Sequence, residues 1–250
     1  MQIKKSLTYA IIPARSGSKT VKNKNIAMLH GFPMIAYSIA VAKIIPEISR
    51  VIVSTDSEEY AKIARKFGAE TPFIRPAEIS GSKATDIQFM KHAIQWFDEN
   101  ERILPEFWVH LRPTTPLREP EKVKEAIYKI QKNPLADSLR SGHVTSLCPF
   151  KWFWKSKDDY FNTINGITLD EANGPRQAFP QIYVPNGYVD ILRTTCIINK
   201  NCMHGNKMIA YTTPKTIDVD QISDLETLRS SSFKLNDAIY QYLLKFRKGD

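Results

Sequence analysis

Short apolar runs alternate with amphipathic stretches through the first half of the chain. Tyr9 to Ile12 is one such run, closed by Pro13; Arg50 to Ser54 is a second, short and β-branched; Phe107 to Leu111 is a third. Each reads as a buried strand opening into a loop, and Ala69 to Ile74 is a further candidate strand. Between them, Pro33 to Ile45 predicts a helix with proline in its first turn and apolar residues on most sides. Asp56 with Glu59 predicts an N-cap and capping box for a helix over Ser57 to Phe67. A helix beginning near Ala84 turns Ile87, Met90, Ile94 and Phe97 inward. Val123, Ala126, Ile127 and Ile130 stripe the next, after a loop stiffened by Pro113, Pro116 and Pro120.

The pattern changes at Ala136 to His143. From Cys148 to Tyr183 the chain is aromatic and irregular, with turn signals at Asn165-Gly166 and Asn173-Gly174-Pro175. This predicts an inserted arm, residues 148–183, of the kind by which one subunit packs on another; a satellite core under a long loop is the alternative. Tyr188 to Leu192 and Lys207 to Thr212 read as strands, Thr216 to Asp220 as a strand end, and Ile222 to Arg229 and Leu235 to Phe246 as closing helices. The alternation predicts an α/β fold, a mostly parallel sheet with helices on both faces, within a single domain spanning 1–250. Such sheets bind ligands beyond their strands' carboxyl ends. The loops at Arg15, Thr55-Asp56, Arg75 and Arg112 are therefore expected to gather into one pocket.

Composition sets outer bounds. Hydrophobic residues make up 42% and aromatics 10% of 250 residues, ordinary values for a folded soluble protein. No apolar run approaches the roughly 20 residues a membrane helix needs, and Met1 to Tyr9 lacks the apolar stretch and cleavage site of a signal peptide. Cys148, Cys196 and Cys202 are too few for a disulfide framework and point to a reducing, cytoplasmic compartment. Cys196, Cys202 and His204 raise the question of zinc without a paired CxxC or a clear fourth ligand. A net charge of +9 favours anionic partners. The basic residues are spread along the chain apart from Lys19 to Lys24 and the tail Lys245, Arg247 and Lys248. No aromatic-interleaved nucleic-acid signature accompanies them, so neither nucleic acid nor membrane is the expected partner.

The candidate chemistry lies at the two ends of the chain. In Tyr9 to Asn25 the strand gives way to Arg15, Ser16, Gly17, Ser18, Lys19, Lys22 and Lys24. Cations there can balance phosphate charges, and small residues let backbone N–H groups approach phosphate oxygens. The loop is neither a Walker loop nor a GxGxxG fingerprint, and a solvated basic loop is the alternative. Near the other end, Asp218 and Asp220 lie two apart, a spacing that puts both on one face of a strand. Paired carboxylates repel unless a cation lies between them, and a hard divalent ion bridging to phosphate satisfies that; a solvated strand edge is the alternative.

With these residues in hand, the chain resembles the acylneuraminate cytidylyltransferase (CMP-sialic acid synthetase) family over nearly its whole length. The matching stretches, in order, are AIIPARSGSK with Lys24-Asn25, VIVSTD, RPAE at Arg75, RPTTPLR at Arg112, GPRQ at Arg176, PNG at Asn186 and the IDVD pair. The resemblance implies a three-layer αβα, Rossmann-like nucleotidyltransferase fold with a dimerisation arm. It implies transfer of CMP from CTP to the anomeric hydroxyl of a nine-carbon α-keto sugar acid, with release of pyrophosphate. A CMP-Kdo-type or GTP-using transferase, or a relative that binds nucleotide without the chemistry, are the alternatives. Arg15, Ser18, Lys19, Lys24 and Asn25 would hold the triphosphate, and Arg75, Ala84 and Asp86 would lie near base and ribose. Asp218 and Asp220 would bind Mg²⁺, which would polarise the phosphate and lower the pKa of the attacking hydroxyl. Asp220 or a metal-bound hydroxide would be the base.

The sugar side of the resemblance rests on Arg176 for the carboxylate, on Asn186, and on Lys151, which would reach from an arm over the partner's site in a homodimer. Two departures stand out. The family carries glutamine where this chain has Arg112, and a smaller polar residue where it has Asp86. Arg112 leaves the sugar open among sialic, legionaminic and pseudaminic types.

Overall fold

On the first strand, Ala10 and Ile12 enter one apolar cluster while Tyr9 and Ile11 enter another on the opposite side. That period of two, apolar on both faces, is what a strand inside a covered sheet requires. The computed structural model describes residues 2–18, 20–231 and 235–247; Lys19 and Lys248 lie outside them. The strand is β1 (Gln2–Pro13). A small ribbon follows, β2 (Met28–Leu29) with β3 (Phe32–Pro33), then α1 (Met34–Ile44), β4 (Arg50–Ser54), α2 (Glu58–Lys66), α3 (Asp86–Asn100), β5 (Ile103–His110), α4 (Pro120–Gln131) and β6 (Ser138–Val144). Next come β7 (Phe153–Lys155), β8 (Phe161–Thr163), α5 (Leu169–Ala172), β9 (Tyr183–Arg193), α6 (Thr194–Lys200), β10 (Met208–Thr212), α7 (Ile222–Ser230) and α8 (Asp237–Leu244).

The main sheet runs β10-β6-β9-β5-β1-β4. β1 is parallel to β4 and β5, β6 is parallel to β10, and β9 is antiparallel to both its neighbours. This is the mostly parallel mixed sheet that the alternation predicts. Apolar residues of α1, α4 and α8 pack on one face, and those of α3 and α6 on the other, giving three layers. No helix among the described residues is long and apolar enough to cross a membrane.

Several local expectations are corrected. Ser57, not Asp56, caps α2: its side chain accepts from Tyr60 N, which frees the Asp56 carboxylate for another task. Residues 69–74 form no strand, Glu70 making only an isolated bridge to Ile52. Residues 216–220 are irregular, with Val219 buried between a half-buried Asp218 and an exposed Asp220. β6 and α6, neither evident as a run or stripe, complete the far half of the sheet and its second face.

Residues 145–182 leave the sheet and return to the same place, since Val144 pairs with Tyr183. Within this excursion β7 and β8 form a ribbon that leaves Trp152, Trp154 and Phe161 about half exposed or more. A row of large apolar rings in water is costly, and exposed apolar patches of this kind are common at surfaces where proteins meet.

Candidate active site

Four loops meet at the carboxyl ends of β1, β4 and β5. Asp56, at the end of β4, accepts from both the backbone N–H of Ser16 (2.7 Å) and its hydroxyl (2.9 Å), and so fixes the bend where β1 opens. Asn25, 8% exposed, donates from Nδ2 to Arg15 O at 2.9 Å. Arg15 reaches across to the Gly81 carbonyl, and Ser18 N donates to Ser16 O. The loop is therefore shaped by its own polar side chains, with Asn25 and Asp56 as struts.

Arg75 is buried, donating to the hydroxyl and carbonyl of Ser54 (3.1 and 2.6 Å), and its guanidinium lies 4.8 Å from the centre of the Phe89 ring. Burial brings its pKa down to about 10 and Arg15 adds to that, while Asp56 and Asp86 oppose it. Arg15, Ser18, Lys24, Asn25, Arg75, Ala84, Asp86 and Arg112 all line one cleft of about 380 Å³. A larger cavity of about 730 Å³ lies elsewhere, against Leu117, Tyr188 and the start of α8. The smaller one is the candidate site, because the sequence-predicted cations converge there.

The acidic pair meets the opening loop. Lys24 Nζ donates to Val219 O at 2.9 Å and lies 3.3 Å from Asp220 Oδ1. Val219 N donates to Thr114 O at 2.8 Å, tying the same segment to the Arg112 loop. Asp218 Oδ1 is buried and has no hydrogen-bond partner among the described residues. An orphaned carboxylate oxygen is costly to bury without a ligand. Among the described residues no three His, Cys, Asp or Glu side chains gather into a metal site, so a cation at the pair would take its remaining ligands from elsewhere. Cys196 and Cys202 have their sulfurs 3.7 Å apart, and His204 faces Ser138 and Arg140.

Arg112 is held at two places. One terminal nitrogen donates to Asp190 (3.0 Å) and the other to Asp86 (2.8 Å). Burial opposes its charge, but the two carboxylates outweigh that and raise its pKa. Arg118 is fully buried and donates to Tyr188 O, Gly187 O, Arg112 O and Ser38 Oγ. Burial lowers it to about 9. It clamps the Arg112 loop to β9, where Asn186 to Val189 bulge out opposite Ser141.

Asn186 is committed to that bulge. It accepts from Ser141 Oγ and Tyr188 N, and it donates to Thr213 Oγ1 and Pro214 O. Lys151 donates to Gly174 O and Arg176 to Thr145 O, both within residues 145–182, and neither lines the cleft of its own chain. The Asp56 loop meets the others at the strand ends as expected, but its tie to Ser16 is not evident from sequence pattern, and neither is the contact of Asp190 with Arg112. Asp56 looks like a helix cap. Asp190 did leave a signal, a single acid inside the apolar run Tyr188 to Leu192.

Fold and cleft together define a three-layer α/β protein with a basic loop at the carboxyl ends of its strands. The chain belongs to the cytidylyltransferase family, whose sequence model matches residues 9–229. It is 33% identical over 219 residues to the N-acylneuraminate cytidylyltransferase of Escherichia coli O18:K1:H7, a match covering 87% of this chain and 50% of that protein. It is 29% identical over 221 residues to post-translational flagellin modification protein B of Campylobacter coli, covering 86% and 89%. The chain thus spans about half the length of the Escherichia coli relative. A solved structure of CMP:2-keto-3-deoxy-manno-octonic acid synthetase complexed with CTP shares the fold, with a TM-score of 0.65 at 15% identity over 90% of this chain and 97% of that one.

Proposed function

We propose that this chain transfers CMP from CTP to the anomeric hydroxyl of a nine-carbon α-keto sugar acid of sialic, legionaminic or pseudaminic type, releasing pyrophosphate. The observation that supports this most is the meeting of Lys24 with the Asp220 segment in a cleft also lined by Arg15, Arg75 and Arg112. Relatives named for sialic, pseudaminic and N,N'-diacetyllegionaminic acid chemistry support the substrate class.

Arg15 and Lys24, with the backbone N–H of Gly17 and the Ser18 hydroxyl, would hold the triphosphate and offset charge that builds on the α-phosphate during attack. Preorganised cations of this kind supply the largest share of such catalysis. Lys19, next to Ser18 in the sequence, would add its charge to theirs. Asn25 and Asp56 keep the loop in shape before substrate arrives, so no reorganisation is needed at the moment of reaction. Arg75, Ala84 and Asp86 form the wall for base and ribose.

Asp218 and Asp220 would hold Mg²⁺, a role that the unpartnered Asp218 Oδ1 suits. Mg²⁺ bound there supplies Lewis-acid polarisation of the phosphate oxygens and acidifies the attacking hydroxyl. Asp220, exposed beside Lys24, is the carboxylate we assign to accept the hydroxyl proton. Asn186 would serve the sugar site indirectly, by holding the β9 bulge.

We further propose one catalytic domain over 1–250 that acts as a homodimer in the cytoplasm. The exposed rings of the 148–183 arm support the dimer. Lys151 and Arg176 would then serve the partner's sugar site. The test is pyrophosphate release with each nucleoside triphosphate against N-acetylneuraminic, pseudaminic, N,N'-diacetyllegionaminic and 2-keto-3-deoxy-manno-octonic acids, with Mg²⁺ present. Release with CTP and a nine-carbon acid is expected. Release with only the eight-carbon acid, or only with GTP, would overturn the assignment.

A further inference from the structure

The two positions at which this chain departs from the pattern it resembles touch each other. Arg112 donates one terminal nitrogen to Asp86 at 2.8 Å and the other to Asp190 at 3.0 Å. The two carboxylates sit in unlike surroundings: the Asp190 side chain is 2% exposed and that of Asp86 is 44% exposed. Breaking a buried pair strands a charge away from water, whereas an exposed pair is readily exchanged. Asp190 is also backed by Arg140, whose Nε is 3.6 Å from Oδ1. Asp190 is therefore a fixed anchor and Asp86 an exchangeable lid on the outward nitrogen of Arg112.

Asp86 has somewhere to go. It is the first residue of α3, fifteen residues long, and a carboxylate at a helix N-terminus is stabilised by the unpaired N–H groups and the helix dipole. Arg75 also attracts it. Release from Arg112 therefore leaves Asp86 exposed at a helix N-terminus and within the field of Arg75. The stem of Arg112 borders the acidic end of the site. A Cβ placed on Gly187 would lie 4.0 Å from Arg112 Cδ and 3.6 Å from Asp218 Oδ2. Arg112 thus stands between the wall that carries Asp86 and the segment that carries Asp218.

We propose that Asp86 and Arg112 form an exchangeable gate, in which the carboxylate of the incoming sugar acid displaces Asp86 from Arg112 and takes its place. The proposal rests on the sugar-acid reading above. It makes Asp86 a competitor of the substrate carboxylate, and Arg112, where a neutral amide would have sufficed for a hydroxyl, a specificity determinant for the acid. An ester of the same sugar has no carboxylate to exchange and gains nothing from the gate.

The experiment is steady-state kinetics on Asp86→Asn, Arg112→Gln and the double variant. Each is measured with the best nine-carbon acid from the panel and with CTP, with the acid's methyl ester as a competing ligand and folding checked by denaturant midpoint. Asp86→Asn is expected to lower KM for the acid about 3- to 10-fold, a gain of up to 1.4 kcal/mol, without lowering KM for CTP or tightening the ester. Arg112→Gln is expected to raise KM for the acid about tenfold or more, and Asp86→Asn is expected to have no effect on KM for the acid in its presence. A purely structural pair predicts instead lower stability and equal losses toward both substrates. That result, or an Asp86→Asn effect that persists without Arg112, overturns the gate alone. Absence of turnover with every acid in the wild type overturns the function and the gate together.

Discussion

Lys24 and Asp220 stand 3.3 Å apart although 196 positions separate them in the chain. The lysine also donates to the Val219 carbonyl, so the acidic pair is tied to the opening loop that lines the cleft. Neither feature alone distinguishes a phosphate site from a solvated surface; their junction supports the proposal that the cations meet a triphosphate and the carboxylate pair a metal. Replacing Lys24 by Met should lower kcat/KM for CTP by about 10²- to 10³-fold, the cost of one transition-state donor, with the denaturant midpoint little changed. Initial-rate kinetics checks it; a loss below fivefold would show that Lys24 serves only to hold Asp220.

Asp56 and Ser57 are neighbours with separate duties. Ser57 caps α2 and Asp56 ties down Ser16. Ser57→Ala should cost about 1 kcal/mol of stability and leave KM for CTP nearly unchanged. Asp56→Ala should raise that KM about tenfold and leave α2 intact. Paired denaturation and kinetic measurements separate the two, and the reverse pattern would restore Asp56 to the cap.

Gly187 has φ of +64°, and a Cβ there would stand 2.9 Å from Thr115 Oγ1. Both the left-handed backbone and the space require glycine. Gly187→Ala should destabilise by about 1–3 kcal/mol and lower turnover by displacing the segment beside Asp218. Thermal unfolding and pyrophosphate release are the readouts, and an unaltered midpoint would refute the strain.

His110 lies fully buried, with both ring nitrogens lacking a hydrogen-bond partner among the described residues. Burial first, then Arg112, hold its pKa well below 6.5; Arg118 and His204 add to this and Asp190 opposes it. The unfolded chain takes up this proton near pH 6.5 and the folded chain does not. The stabilisation is therefore complete above pH 6.5 and is lost as pH falls below it toward the depressed folded value. His92 and His204 are shifted the same way, chiefly by burial. Denaturant-derived stability should fall between pH 7.5 and 5.5, less steeply in His110→Gln; an equal slope in both proteins would show that His110 does not carry it.

Much of the fold was legible where periodicity is strong. The apolar run at Arg50 to Ser54 is β4, and the stripe Val123, Ala126, Ile127 and Ile130 is the buried face of α4. β6 was not, because Ser138, Arg140, Ser141 and His143 break any apolar alternation. Nor was α6, whose Thr, Cys and Ile residues have weak helix propensity and are held by packing. At the site, residue types pointed to Arg15, Lys24, Arg75 and Arg112, which line one cleft. What sequence could not supply is which acid each base meets. Asp56, Asp86 and Asp190 acquire their meaning only through contacts across strands.

The proposed mechanism requires the Arg15–Asn25 loop and the Asp218–Asp220 segment to hold one Mg²⁺-CTP between them. A crystal structure with CTP and Mg²⁺ tests this most directly. The expected result is the triphosphate against Arg15 and Lys24, with the metal at Asp218 and Asp220. Nucleotide bound in the larger cavity beside Tyr188 and Asn236, or a metal away from both aspartates, would contradict it.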